Sequence, residues 1–430
     1  MSVSKTSDSK TPLSKTPRPD ATGLDTAASP RWLSIVGIGE DGVEGLSPVA
    51  RGLIGGAEIV FGGRRHLGLA ASLIRGATRP WPSPFDGAAD EVLHHRGRQV
   101  CVLASGDPFH YGVGTALARR IDAREMTVVP APSAFSLAAA RLGWSLPQTA
   151  LISVHGRSLD LVRPHLQPGT RILALTSDGQ GPAALAKLLT LSGFGSSRLT
   201  VLEALGGSYE RIRSASAAAF DLGAVDALNT VAIEVEAAAD ARVLARAPGL
   251  SDALFEHDGQ ITKREIRAIT ISSLAPRRGE LLWDIGAGSG SVAIEWMLAD
   301  PSLRAVAIER HADRAARIRR NAAAFGVPGL EIVERAAPAA LAGLPTPDAI
   351  FIGGGVSEAG VLDAATRALR PAGRLVANAV TLGSEALLLT RHAALGGKLI
   401  RIAISRADPI GEKTGWHAAM PVTQWIWTKP

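Results

Sequence analysis

Two glycine-rich stretches stand at the ends of apolar runs, where backbone without side chains can approach a ligand closely. The first, WLSIVGIGEDGVEG (Trp32–Gly45), holds Gly37-x-Gly39-x-x-Gly42, the spacing of a dinucleotide fingerprint. The second, WDIGAGSGS (Trp283–Ser291), holds Gly286-x-Gly288-x-Gly290. A pyrophosphate site needs its third glycine at the start of a helix, whose N-terminus then faces the phosphates. In the first stretch the loop runs on through EDGVEGL, and the helix start is Ser47-Pro48, an N-cap followed by proline. Glu40, Asp41 and Glu44 add negative charge that repels a diphosphate. The loop therefore suits a ligand with a cationic centre, or is a solvent-exposed turn, and the glycines alone favour the turn. In the second stretch the third glycine comes one residue too early for a dinucleotide. A dehydrogenase is the poorest reading of both.

These loops need an alternating scaffold, and the sequence supplies one. WLSIVGIG, EIVFGG, QVCVLAS, MTVVPAPS, ALISVHG, RILALTS, LTVLEAL and NTVAIEVE read as strands. Segments between them, such as VGTALARRID and PAALAKLLTL, carry helical spacing. Strand-helix alternation implies an α/β fold with a largely parallel sheet. Composition shifts around ADARVLARAPGLSDALFEHDG, and a second alternation begins, so a boundary is placed near Pro248. Its strands are ELLWDIG, RAVAIE, LEIVER, AIFIGGG and RLVANAV, closed by KLIRIAISR and TQWIWTK. Thr262 and Glu265 form T-x-x-E, a capping box before a helix.

The bulk numbers narrow the classes. A chain of 430 residues predicts two or three domains, and 46% hydrophobic residues can fill their cores. Aromatic residues are only 4%, which argues against base-stacking or sugar-stacking platforms. The net charge of +6 favours an anionic partner. The single cysteine, Cys101, excludes an intrachain disulfide and a cysteine zinc cluster, which fits a reducing cytoplasm; no metal is expected. No apolar stretch reaches the ~18 residues of a membrane span. Residues 1–29 are polar, lack an apolar centre and read as a disordered tail.

Further motifs follow the first loop in order: GGRRHL at Gly62–Leu67, SGDPFHYGVG at Ser105–Gly114, PAPSAFSLAAARLGW from Pro130, and VHGR at Val154–Arg157. Together with GIGEDG they resemble the tetrapyrrole methylase family, and within it the C5-methylating modules of corrin biosynthesis. The resemblance covers roughly residues 31–236. It implies that S-adenosylmethionine binds in a folded pose between two α/β subdomains. It maps cofactor binding onto Gly37, Gly39, Ser105, Gly106, Asp107, Tyr111, Gly112, Pro132 and Ser133. Much of the broader family has proline and glycine where this chain has Glu40-Asp41, so the carry-over stops at those two positions.

The second loop resembles the S-adenosylmethionine loop of Rossmann-like methyltransferases, with Asp284 placed to order it. Glu309 ends the next strand, AVAIE, where a carboxylate accepts both ribose hydroxyls of a bound nucleoside. HDGQITKREIR, WDIGAGSGSVAIE, ERAAPAAL, FIGGG and GRLVANAVT are together similar to the C15-methylating, decarboxylating modules of the same pathway, over most of residues 251–430. That likeness assigns Thr262, Gly286, Ala287, Gly288, Ser289, Gly290, Glu309 and Ala337 to cofactor binding. At Ala336 the chain lacks the acidic residue expected from relatives.

The fold expected is thus α/β: a disordered tail (1–29), a two-subdomain tetrapyrrole methylase-like module (30–246), and a Rossmann-like methyltransferase module (251–430). A fusion in this order implies one S-adenosylmethionine per module. It implies methylation of precorrin-6B (also called 6Y) at C5 and C15, with decarboxylation of the C12 acetate to give precorrin-8. The substrate is a polycarboxylate, and arginine suits bidentate carboxylate contacts. Arg64, Arg65, His66, His155 and Arg157 are candidates for it in the first module, and Asn378 and Thr381 in the second. No general acid or base is assigned. A cytoplasmic homo-oligomer, without nucleic acid or membrane as partner, completes the expectation. Two rivals stand beside it: an RNA or DNA methyltransferase with a basic arm, and a non-catalytic ligand sensor. The first usually needs an [DN]-P-P-[FY] loop where this chain has AIFIGGG.

Overall fold

Short runs rich in Val and Ile become strands here because β-branched side chains pack well on a pleated surface. The computed structural model describes residues 31–82 and 87–430, so the tail expected over 1–29 lies outside the described residues. These residues divide into two compact units, one ending at Ser133 and one beginning at Ala134.

In the first unit β1 (Leu33–Ile38), β2 (Ile59–Gly62), β3 (Ala77–Pro80), β4 (Val100–Ser105) and β5 (Met126–Val129) form a sheet. Its order is β3-β2-β4-β1-β5 and every pairing is parallel. All six residues of β1 are buried, so the strand reads as a continuous apolar run. Alternate residues serve opposite faces: Leu33 and Ile35 join one core, Val36 and Ile38 another. Ser47 caps the helix Pro48–Gly55 by accepting the Ala50 N–H at 3.2 Å, as its sequence predicts.

The second unit holds a five-stranded and a seven-stranded sheet. In one, β6 (Thr149–Ser153), β7 (Arg171–Leu175), β8 (Arg198–Glu203), β9 (Arg211–Ser216) and β10 (Asn229–Glu234) take the order β6-β7-β10-β8-β9. Only β6 and β7 are parallel. The largely parallel sheet expected of the first alternation therefore holds for β1–β5 and not for β6–β10. Residues 204–210, between β8 and β9, contain no helix, and a parallel crossover needs one.

The other sheet contains β11 (Leu281–Ile285), β12 (Arg304–Ile308), β13 (Glu331–Val333), β14 (Ala349–Ile352), β15 (Arg374–Ala379), β16 (Lys398–Ile402) and β19 (Val422–Thr428). Between the last two, β17 (Ser405–Ile410) and β18 (Lys413–Ala418) pair as a separate exposed hairpin. The run KLIRIAISR, expected as one strand, is thus broken after Ile402. The sheet order is β13-β12-β11-β14-β15-β19-β16, with β19 antiparallel to both neighbours. The order reverses between β11 and β14, which opens a crevice at the carboxyl ends of these strands. Among the described residues no helix is long and apolar enough to cross a membrane.

The segment around Pro248 is tied down within this unit. Glu295 accepts the N–H groups of Gly249 and Leu250 at 2.7 and 2.9 Å. The fully buried Arg267 donates to Glu295 at 2.6 Å, to Asp252 at 3.0 Å, and to the carbonyls of Leu250 and Thr262. Truncating one side of such a network strands a buried charge. Arg267→Ala is therefore expected to destabilise the unit by about 3–5 kcal/mol, read as a lower urea midpoint. A midpoint equal to wild type would show that the network contributes nothing.

Candidate functional site

In the first unit β1 and β4 finish side by side, and their following loops meet at one edge of the sheet. A Cβ on Gly37 would lie 1.9 Å from the Gly106 carbonyl oxygen and 2.6 Å from the Ala131 nitrogen. Glycine is required there. The Gly106 N–H donates to Ile38 at 3.1 Å, and its carbonyl accepts from Ala131 at 3.2 Å. Ser105, Gly106, Pro132 and Ser133 thus gather near Gly37, with Gly106 at a φ of +53° over Pro132. Asp107 holds its own loop by accepting the Phe109 N–H at 2.8 Å. Tyr111, half exposed and at a φ of +59°, precedes Gly112, the N-cap residue of helix Val113–Ala118. Gly39 sits against the Asp41 side chain.

One acid of this loop, Glu40, is compensated. Arg65 forms an ion pair with Glu40 and donates to Ser105 Oγ at 3.0 Å and to His66 Nε2 at 2.9 Å. His66 Nε2 therefore acts as an acceptor, also 2.8 Å from Ser105 Oγ. Burial, helped by the Arg65 charge, pushes the His66 pKa down to about 4, so its ring is neutral at physiological pH. Arg64 is exposed beside them. The Glu40–Arg65 pairing was missed in the sequence, although an acidic GEDG and a basic GGRR were both in view. His155 and Arg157 belong to the second unit, where His155 Nδ1 donates to the Thr176 carbonyl at 3.1 Å.

In the second unit the crevice beside β11 is a cavity of about 590 Å³. That size is ordinary for a small-molecule site. Its floor is the second glycine loop, with Gly286, Gly288 and Gly290 all at positive φ. At Gly286 a Cβ would strike the Gly354 backbone at 2.6 Å, so this position admits only glycine. Gly286, Ala287, Gly288, Glu309, Ala336 and Ala337 line the cavity. Ser289 is fully buried behind the loop, where its carbonyl accepts from Asn321 at 2.9 Å, and Gly290 starts helix Ser291–Ala299.

Two carboxylates fix this loop. Glu309, 4% exposed, accepts the Gly288 N–H at 2.9 Å and the His311 N–H at 3.0 Å. Each oxygen keeps a lone pair for a ligand hydroxyl. Asp284 accepts the Ala293 N–H at 3.1 Å through Oδ2, whereas its Oδ1 is buried on the cavity wall without a hydrogen-bond partner among the described residues. Burial, with the nearby Glu309 charge, raises the Asp284 pKa to about 7. The folded chain thus holds a proton that the unfolded chain releases between the ordinary value of 3.8 and about 7. This group lowers stability as pH rises through that window.

Thr262 does not act as a cap. Helix Arg264–Leu274 starts two residues later, and its N-cap position is Lys263, with no side-chain cap bond. Thr262 instead lines the cavity, and Gln260 closes over the glycine loop, its carbonyl 3.0 Å from a Cβ built on Gly288. Asn378 also lines the cavity, held by a buried bond to Thr270 at 3.1 Å and one from Gln424 at 2.8 Å. Thr381 caps helix Leu382–Leu395 by accepting the Ser384 N–H at 3.3 Å and is not in the lining. Arg406, Ala419 and Met420 complete the far wall, and no local sequence signal announced them.

Known proteins resemble this chain along most of its length. The chain matches the family described as "Tetrapyrrole (Corrin/Porphyrin) Methylases" over residues 33–221 and "Precorrin methyltransferase domain" over residues 253–429. A Sinorhizobium sp. protein named precorrin-6Y C(5,15)-methyltransferase [decarboxylating] is 63% identical over 95% of this chain and 99% of its own length. A Mycobacterium tuberculosis protein of the same name is 42% identical over 92% of this chain and 99% of its own. The solved C-terminal domain of precorrin-6Y C5,15-methyltransferase from Rhodobacter capsulatus is 50% identical, covering 43% of this chain and 100% of that one with a TM-score of 0.42. With its two α/β methylase regions in this order, the chain belongs to the decarboxylating precorrin-6Y C(5,15)-methyltransferase family of S-adenosylmethionine-dependent enzymes.

Proposed function

We propose that the chain methylates precorrin-6B (6Y) at C5 and C15 and releases the C12 acetate carboxyl as carbon dioxide, yielding precorrin-8 for cobalamin biosynthesis. The division of labour assigns C5 to residues 30–246 and C15 with decarboxylation to 251–430, each with its own S-adenosylmethionine. A cytoplasmic homo-oligomer belongs to the same reading. The observation that carries it is the cavity over Gly286–Gly288, whose left-handed glycine backbone and Asp284 Oδ1, unpartnered among the described residues, suit a ligand with a cationic group. The residues present fit S-adenosylmethionine. Gly286, Ala287 and Gly288 would lie against its methionine part, Glu309 would accept its ribose hydroxyls, and Thr262 and Ala337 would flank it. Once bound, it supplies an electrophilic methyl on a sulfonium.

The chain's own work is placement. A cavity fixed by buried hydrogen bonds holds the acceptor carbon in line, and such positioning supplies much of the acceleration. In the first unit Gly37, Gly39, Ser105, Gly106, Asp107, Tyr111, Gly112, Pro132 and Ser133 would serve the other donor. Arg64, and His155 and Arg157 of the second unit, remain candidates for substrate carboxylates in the C5 reaction. Arg65 and His66 are engaged with Glu40 and Ser105, and would act on substrate through that cluster. In the second, Asn378 would face the macrocycle, whereas Thr381 caps a helix outside the lining.

Point variants separate the two activities. Gly288→Arg fills the second loop and is expected to cut carbon dioxide release at least about a hundred-fold while C5 methylation persists. Gly39→Arg is expected to do the reverse, followed by mass spectrometry of the tetrapyrrole. Doubly methylated product from either variant would refute the division. Affinity for the donor should also follow Asp284. A cation on the cavity wall favours its ionised form, so donor binding to the second module tightens as pH rises through about 7. Asp284→Asn should flatten that dependence in calorimetric titrations. An identical slope in the variant would remove Asp284 from the donor's surroundings.

A further inference from the structure

The second-unit cavity has two chemically distinct ends. Near the glycine loop two of its cations are matched, Arg310 with Glu358 at 3.4 Å and Arg314 with Asp258 at 2.9 Å, while Arg335 beside Ala336 has no ion pair among the described residues. The other end is built where β15 and β16 finish and β19 begins. There Val380, Ile404 and Met420 line the cavity, and Val380 and Met420 are 51% and 72% exposed. An exposed methionine and valine in the lining give this end of the cavity an apolar wall that a ligand's apolar face can cover. Lys263 and Arg406 border the same cavity. Arg406 reaches from the hairpin to Glu265, whereas Lys263, at the start of the Glu265 helix, has no ion-pair partner among the described residues. Apolar side chains flanked by cations suit a flat conjugated ring with carboxylates on its periphery.

We infer that Val380, Ile404 and Met420 seat one face of the polycarboxylate macrocycle during the second methylation, with Lys263 and Arg406 holding its peripheral carboxylates. This rests on the function proposed above and assigns the residues that select its substrate. Sheet topology supports the division. The glycine loop, Glu309 and Ala337 follow β11, β12 and β13, whereas the seat follows β15 and β16 and leads into β19, across the switch point. Donor and acceptor therefore enter opposite halves of one crevice and meet above β11 and β14. Glu265 keeps Arg406 extended from the hairpin, and a substrate carboxylate can share that guanidinium because it has donors to spare.

Steady-state carbon dioxide release by the full chain tests the seat, with precorrin-6B varied at saturating S-adenosylmethionine. Lys263→Glu and Met420→Glu alter exposed side chains, so both variants should fold, which unchanged affinity for S-adenosylhomocysteine would verify. Each is expected to raise the tetrapyrrole KM about ten-fold or more with kcat retained. Added salt should raise the wild-type KM more than that of Lys263→Glu. Normal release with an unchanged KM in both variants would overturn the seat and leave the proposed reaction standing. An altered oligomeric state of Met420→Glu at unchanged KM would overturn it too, marking the patch as a contact between copies. A wild-type chain that releases no carbon dioxide would defeat the reaction and the seat together.

Discussion

A carboxylate withdrawn from water must find donors, and Glu309 finds them in the two backbone segments that the second site requires. One oxygen takes the N–H of Gly288 and the other that of His311. The end of β12 is thereby stapled to the glycine loop that follows β11. That loop bends through three left-handed residues, and its backbone touches the Gly354 turn too closely for any side chain at Gly286. Remove the staple, and a buried donor and the floor of the cavity lose their anchor together.

The two glycine loops solve one problem by different means. Around Gly37 the close approach is between loops of the same sheet, where Gly106 and Ala131 leave no room for a Cβ. One of its three acidic residues, Glu40, is paired with Arg65, which also orients Ser105 and His66. Around Gly286 the acids are kept and buried. Asp284 gives up part of its charge at neutral pH, and Glu309 is met by backbone donors. A site for a cationic ligand gains from either arrangement, since a net acid remains near the glycines.

The glycine loops, the strands before them and Glu309 were legible because their signals are local: an apolar run, small residues at fixed spacing, a carboxylate at the next strand end. Thr262 shows where local reasoning fails. T-x-x-E spells a capping box, yet the helix starts later and Thr262 turns to the cavity. The break between Ile402 and Ser405, the hairpin beyond it, and the far wall at Arg406 and Met420 depend on contacts between distant segments, which periodicity does not report. The boundary near Pro248 is a composition change, but the chain there is bound by Glu295 and Arg267, so composition and compactness divide the chain differently.

Two donor sites on one chain is the claim on which the proposed division of labour turns, because each module is assigned its own methyl transfer. Calorimetric titration of the full chain with S-adenosylmethionine tests it most directly. Two molecules bound per chain are expected. Saturation at one, or preferential binding of NAD, would contradict it.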